Sequence, residues 1–401
     1  MWEYGMSSVV KHLVLISFFF SVTAFAQQQS VVLISLDGFR WDYIEKHRAK
    51  GLANIAKQGV RVNKMWPVYP SKTFPNHISI ITGLLPVNHG VIDNKFCDKK
   101  RDQCYKMGSG KDDSTWLNGI PLWNLAQMQG LKSAAYFWPE SDARFNGMVP
   151  NYYYHYSQQS DYQARIDQII QWLSLDATQR PHFVAGYFSL VDSLGHDFGP
   201  DSAEVYAGVQ EVDMLITQLH KRLSKLPHPV NLIVVSDHGM STVDSSQSID
   251  IDALAIPAGW IVKNTGPRVL IYTKGANEAD EMATIKKLNT QAKGRFVVMD
   301  EQTLVERNYF GSARIPDIIL ETYAPRVFSR GNQVAYQGTH GYTNTDDMAA
   351  TFIAHGPAFK SGMKINEMKN LEIYPVISDV LGLKLLNKVD SDGEILRQAL
   401  K

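Results

Sequence analysis

Four stretches of this chain, residues 31–36, 182–191, 230–236 and 350–354, are nearly unbroken apolar runs rather than apolar–polar alternations. A strand with one wet face alternates, whereas a strand covered on both faces does not. These runs therefore predict strands buried in a sheet with helices on both sides. Residues 161–173 bring Tyr162, Ile166, Ile169, Ile170 and Leu173 to one helical face. Residues 203–223 do the same with Val205, Val209, Val212, Ile216, Leu219 and Leu223, the spacing of amphipathic helices. Buried strands alternating with such helices predict an α/β fold, a mostly parallel sheet flanked by helices. Ligands of such sheets bind beyond the carboxyl ends of the strands. The stretch 241–337 departs from the pattern: short strands at 268–273 and 295–300 flank a charged helix near 278–293, and its loops are rich in Gly and Pro. It reads as a smaller α+β cap insert between two parts of one core, 27–240 and 338–401.

Charge and targeting narrow the partners. The 401 residues carry 40 basic and 40 acidic side chains, which removes bulk attraction to a nucleic-acid polymer or an anionic membrane. A small-molecule partner in a local site is the remaining expectation. Lys11 and His12 precede an apolar run at 13–22 that ends in Ala24-Phe25-Ala26, the pattern of a secretory signal peptide over residues 1–26. The run is shorter than the roughly 18 residues a membrane span needs, so no stable anchor is expected. Met6 is an alternative start that would omit the acidic Glu3. Export places the chain in a periplasm or outside the cell. There Cys97 and Cys104, which enclose a polar run, read most simply as a disulfide; two free thiols are the other reading.

The chemistry gathers at strand ends. The run at 31–36 delivers Asp37 and the turn residue Gly38, the run at 182–191 delivers Asp192 with His196 four residues on, and the run at 230–236 delivers Asp237-His238. His340 sits in a glycine-flanked turn, Gly338-Thr339-His340-Gly341. Taken singly, an Asp after a strand is usually a helix cap and a lone His a satisfied core or surface group. Together, three carboxylates and three imidazoles at one sheet edge would serve two zinc ions with open positions for substrate. Manganese or iron also suits oxygen and nitrogen donors, whereas the imidazole share disfavours magnesium and calcium. In Tyr69-Pro70-Ser71-Lys72-Thr73-Phe74-Pro75-Asn76-His77, Pro75 suits a first helical turn. Thr73 is thus expected just before a helix N-terminus, where free amides and the dipole favour an alkoxide and a phosphate. A simple N-cap is the alternative role.

Seven motifs in order, Leu36-Asp37-Gly38-Phe39-Arg40, Lys72-Thr73-Phe74-Pro75-Asn76-His77, 88–94, Trp138-Pro139-Glu140-Ser141, 192–200, Ser236-Asp237-His238-Gly239-Met240 and 338–342, resemble those of the nucleotide pyrophosphatase/phosphodiesterase family within the alkaline phosphatase superfamily. The resemblance covers most of the mature chain and implies an alkaline-phosphatase-like fold. It implies one zinc on Asp192, His196 and His340, and a second on Asp37, Asp237 and His238 with Thr73 bound as nucleophile. It gives Asn94 a hydrogen bond to a phosphoryl oxygen, with the Phe74 amide as a further donor. It also lets Phe74 and one ring of the run Tyr152, Tyr153, Tyr154 and Tyr156, most readily Tyr156, sandwich a nucleobase. Asn76 is expected to brace its loop, and His77, His89 and His355 to be structural. Two positions depart from the family pattern: Leu190-Val191 ahead of Asp192, and Thr343, where relatives often carry Asp. The function so implied is an exported two-zinc phosphodiesterase/pyrophosphatase that releases nucleoside 5′-monophosphates through a phospho-threonine intermediate. The alternatives are a choline-type lipid-headgroup phosphodiesterase, a phosphomonoesterase on the same site, or a metal-binding protein without turnover. A sulfatase is disfavoured because the nucleophile position holds neither Cys nor Ser.

Overall fold

The computed structural model describes residues 1–2 and 28–401, apart from 332 and 344. The signal-peptide reading of residues 1–26 falls almost wholly outside them. Among the described residues no helix is long and apolar enough to cross a membrane.

An eight-stranded sheet runs, edge to edge, through Met363–Lys369, Val60–Trp66, Ala350–His355, Val230–Val235, Ser30–Leu36, Pro181–Phe188, Lys132–Tyr136 and Tyr152–Tyr154. Only Ala350–His355 is antiparallel to its neighbours; the other pairings are parallel, as the continuous apolar runs require. Alternate residues of Ser30–Leu36 serve opposite cores. Val31 and Leu33 join the layer holding Ile78, Ile81, Trp123, Ile373 and Ile377. Val32, Ile34 and Leu36 join the layer holding Ile166, Ile169, Val205, Val209 and Ile216. The helices Tyr162–Leu173 and Ala203–Leu223 bury the faces expected of them.

The expected strand over 182–191 is shorter. It ends at Phe188, and Leu190–Phe198 is a helix, so Asp192 projects from a first helical turn rather than from a strand end. Apolar runs alone do not separate a buried strand from the helix that follows it. The strands at 60–66, 132–136, 152–154 and 363–369 gave no comparable run, because they are short or, as in Val60–Trp66 and Met363–Lys369, interleave exposed with buried positions.

Within 241–337, four antiparallel strands, Ile261–Asn264, Arg268–Tyr272, Ile318–Thr322 and Phe296–Val298, form one small sheet in that order. Val269, Ile271, Ile318 and Leu320 pack with Leu288 and Ala292 of the helix Glu278–Ala292. The opposite face, with Leu270, Tyr272 and Ile319, joins the main core. The period-two alternation of Arg268–Tyr272 and Ile318–Thr322 thus fastens this small sheet to the main core.

Candidate metal centre and active site

Parallel pairing assembles the site. Ser30–Leu36 lies between Pro181–Phe188 and Val230–Val235 with Leu36 opposite Phe188 and Ser35 opposite Val235, so Asp37, Asp237 and His238 leave one sheet edge side by side. Gly38 turns the chain there with φ of 67°, a conformation that costs glycine little. Its amide donates to Asp237 Oδ1 at 3.3 Å. The helix Leu190–Phe198 presents Asp192 and His196 on one face. His340 follows the short strand Gly338–Thr339, which is antiparallel to Ser241–Thr242. Thr73 is the first residue of the helix Thr73–Thr82, with Lys72 as the capping position. That is one residue further into the helix than expected.

Five of the six expected ligands fall into two donor clusters, and His196 stands outside both, approaching Asp192. His238 Nε2 is 2.9 Å from Asp237 Oδ2 and 3.4 Å from Asp37 Oδ1. Asp192 Oδ1 is 3.6 Å from His196 Nε2 and 3.8 Å from His340 Nε2. Donor atoms cluster as Asp37, Asp237 and His238, and as Asp192, His238 and His340. His238 therefore lies between the two groups, its ring stacked on His340 with centroids 3.4 Å apart. Thr73 Oγ1 is 3.3 Å from His238 Nε2.

Two observations fit this donor set to cations. First, Asp37 Oδ1, Asp192 Oδ1 and Asp237 Oδ2 are buried oxygens with no hydrogen-bond partner among the described residues, an arrangement that is expensive for carboxylates unless positive charge compensates it. Second, Nδ1 of His196, His238 and His340 each meets a backbone carbonyl, of Gly338, Gly239 and Ser71, at 2.8 Å. A carbonyl only accepts, so each Nδ1 carries the hydrogen and each Nε2 turns a lone pair toward the carboxylates, the tautomer a metal ligand needs. Burial holds the imidazoles of His238 and His340 below the usual histidine range. The carboxyl of Asp237 is raised to about 8 by burial and then by the charge of Asp192. Asp37 is raised by burial and then by Asp237 and Asp192. Two desolvated acids, Asp37 and Asp237, crowded by the charge of Asp192 and lying beside neutral imidazoles, form a site that cations would stabilise.

On the substrate side, one pocket of ≈ 580 Å³ is lined by Asp37, Thr73, Phe74, Asn94, Tyr154 and Tyr156 among others. Tyr152 instead lies against Trp172, and its hydroxyl donates to Gln179 O at 3.0 Å. Asn94 Oδ1 accepts the Phe74 amide at 2.9 Å. The two expected phosphoryl donors are thus bonded to each other, and the Asn94 amide nitrogen is the group left to donate. Asn76 braces its loop, donating to Pro70 O and Lys72 O and accepting from Val68 N. His77 is buried between Thr73 O and Ser35 Oγ, and His355 pairs with His220 at 3.0 Å. Cys97 and Cys104 face each other as a disulfide across the hairpin of Lys95–Asp98 and Gln103–Lys106.

Two residues of the site escaped the sequence reading. Tyr187 donates its hydroxyl to Asp37 Oδ2 at 2.5 Å; a tyrosine near the end of a buried strand needs such a partner, which was the available signal. Lys72 is buried, donates to His340 O at 2.8 Å, and is lowered to about 8 by burial.

Comparison with known proteins adds the decisive observation. Residues 31–343 match the family model of type I phosphodiesterase / nucleotide pyrophosphatase. The chain belongs to this family. It is 34% identical over 371 residues to the venom phosphodiesterase of Naja atra, covering 89% of this chain and 45% of that protein. It is 35% identical over 385 residues to ectonucleotide pyrophosphatase/phosphodiesterase family member 3 of Rattus norvegicus, covering 92% and 44%. The chain spans about half the length of the curated relatives it matches. Among solved structures, an inactive variant of murine ectonucleotide pyrophosphatase/phosphodiesterase 5 in complex with AMP superposes with a TM-score of 0.86 at 28% identity, covering 93% of this chain and 100% of that one. The expected family and the α/β fold with a mostly parallel sheet are both borne out.

Proposed function

We propose that this chain hydrolyses nucleotide phosphodiester or phosphoanhydride bonds to nucleoside 5′-monophosphates, with Thr73 as the nucleophile and two zinc ions as cofactors. The observation that supports the reading is the gathering of unpartnered oxygens of Asp37, Asp192 and Asp237 with His238 and His340, with the Thr73 hydroxyl 3.3 Å from His238 Nε2. Asp192, His196 and His340 would hold one ion, and Asp37, Asp237 and His238 the other, together with the Thr73 oxygen. Bound there, the metals would supply Lewis-acid stabilisation of phosphoryl charge and ease deprotonation of the hydroxyl. Thr73 Oγ1 then forms the new bond to phosphorus as the bond to the leaving oxygen breaks in line, giving a phospho-threonine diester that water hydrolyses. The Asn94 amide donates to a non-bridging oxygen, and the start of the helix Thr73–Thr82 favours that negative charge. Phe74 and Tyr156 offer rings for a nucleobase, a mode of binding tolerant of base identity.

The AMP complex of the murine relative supports a nucleotide ligand, and the venom and ecto-enzyme names of the relatives support export. Purified Thr73→Ala enzyme is expected to lose turnover of a nucleotide diester while retaining two zinc ions per chain. Wild-type-like turnover in that variant would remove the nucleophile from the reading. Faster turnover of a choline phosphodiester, or of a nitrophenyl monoester, than of the nucleotide diester would replace the substrate class.

A further inference from the structure

Two buried charges of the insert sheet stand opposite each other, Arg268 on one strand and Glu321 on the next, and neither side chain is exposed to solvent. Both are turned toward the catalytic loops. The Arg268 guanidinium pairs with Asp93. Asp93 Oδ1 accepts the backbone amide of Asn94 at 2.7 Å, and Asn94 Oδ1 accepts the amide of Phe74, the residue after Thr73. Tyr69 and Tyr309 flank the guanidinium, with ring centroids 5.1 and 5.7 Å away. Tyr309 also donates to Ile92 O at 3.0 Å. Glu321 accepts from Tyr69, four residues ahead of Thr73, at 2.5 Å. It accepts from Thr343, three residues past His340, and pairs with Arg307 at 2.8 Å.

The insert thus reaches all three loops that meet at the nucleophile. We infer that Arg268 and Glu321 are positioning residues for phosphoryl transfer: Arg268 sets Asn94 through Asp93, and Glu321 ties the loop ahead of Thr73 to the loop after His340. The inference rests on the reading of Thr73 and Asn94 given above. Neither residue touches the pocket, so neither is a catalytic residue. Their effect is on geometry, where a displacement of about 1 Å can cost on the order of a hundredfold in rate. A buried ion pair is a poor source of net stability, and this one is made through Nη2 alone, with Nε and Nη1 buried without hydrogen-bond partners among the described residues, so orientation of Asp93 is the role left to it. Thr343 fits the same scheme. Its hydroxyl donates to Glu321, where a carboxylate at that position would repel it.

A double-mutant cycle on the zinc-loaded full chain tests this, using bis(p-nitrophenyl) phosphate as substrate. Arg268→Met is expected to lower kcat by roughly 10- to 100-fold with KM changed less than about threefold. In the Asn94→Ala background the same substitution should lower kcat by less than about threefold, because the group it positions is gone. An equal loss in both backgrounds, or no loss in either, would overturn the proposal. Arg268→Lys carries the test should Arg268→Met fail to fold: it keeps the charge, and its kcat loss should likewise vanish in the Asn94→Ala background. Glu321→Gln is expected to lower kcat in either background, since its path runs to Thr73 and not to Asn94; a wild-type kcat would remove Glu321 from the proposal. Asn94→Ala alone with wild-type kcat would instead overturn the site reading beneath the proposal, and the proposal with it.

Discussion

Gly38→Ala tests the close packing of the metal-side loops. A methyl at this glycine would lie 3.0 Å from both Cα and Cβ of Asp192 and 3.1 Å from its Oδ1. The residue also has a φ of 67°, which costs an L-residue about 1–2 kcal/mol. Overpacking a close contact adds about 1–3 kcal/mol, so a total of about 2–5 kcal/mol is expected. With an unfolding entropy of roughly 2.1 cal/mol/K per residue over about 370 residues, Tm should fall by roughly 3 to 6 °C. Gly130→Ala is the control: its φ is 84° and no atom lies within 4 Å of the added methyl. It should lose only the conformational share, roughly 1 to 3 °C, with unchanged kinetics. Scanning calorimetry, zinc content by mass spectrometry and kcat/KM on a nucleotide diester provide the readouts. Gly38→Ala is expected to lower kcat/KM at least about tenfold, because the crowded atom belongs to an expected ligand. Should the two variants show the same Tm loss and the same activity, the approach of Gly38 to Asp192 has no role in holding the site.

Three further outcomes follow from particular contacts. Phe74→Ala should reduce kcat/KM for a nucleotide diester by the equivalent of about 1–2 kcal/mol while sparing methyl p-nitrophenyl phosphate, which has no nucleobase; Tyr156→Ala, half-exposed at 49%, should lie near the lower end of the stacking range of about 1–3 kcal/mol. His89 is buried, takes the Val91 amide at Nδ1, and is lowered from 6.5 to about 3 by burial. The folded state therefore disfavours its proton: stability is complete above 6.5, falls as pH drops below it, and by pH 5 should be about 2 kcal/mol lower. Urea unfolding of the wild type at pH 7.5 and pH 5 should show that decrement beyond what His89→Gln shows, and equal decrements would contradict it. Thr343→Asp should set a second carboxylate against buried Glu321 and cost about 1–3 kcal/mol, read as a lowered urea midpoint.

The four central strands, and the candidate ligands at their ends, were legible in the sequence because both rest on local pattern. A strand buried on both faces must be continuously apolar, and Asp37, Asp237 and His238 follow such runs directly. Asp192 was found on the right face, but the run through Leu190-Val191 concealed the change from strand to helix at Phe188. The strands at 60–66 and 363–369, at one end of the sheet, were silent because part of each faces water. The links from Arg268 to Asp93 and from Glu321 to Tyr69 join positions 175 and 252 residues apart, and no local spacing announces a contact of that range. Tyr187 and Lys72 were hidden for a related reason, since each gains its role from a partner on another loop.

The central claim is that Thr73 becomes covalently bonded to phosphorus during turnover. Acid quenching of the zinc-loaded enzyme within its first turnovers of a nucleotide diester, followed by proteolysis and mass spectrometry, should yield the peptide containing Thr73 with a nucleoside monophosphate esterified to that residue, and no such adduct from Thr73→Ala. Full turnover by Thr73→Ala, or an adduct located on another side chain, would contradict the account.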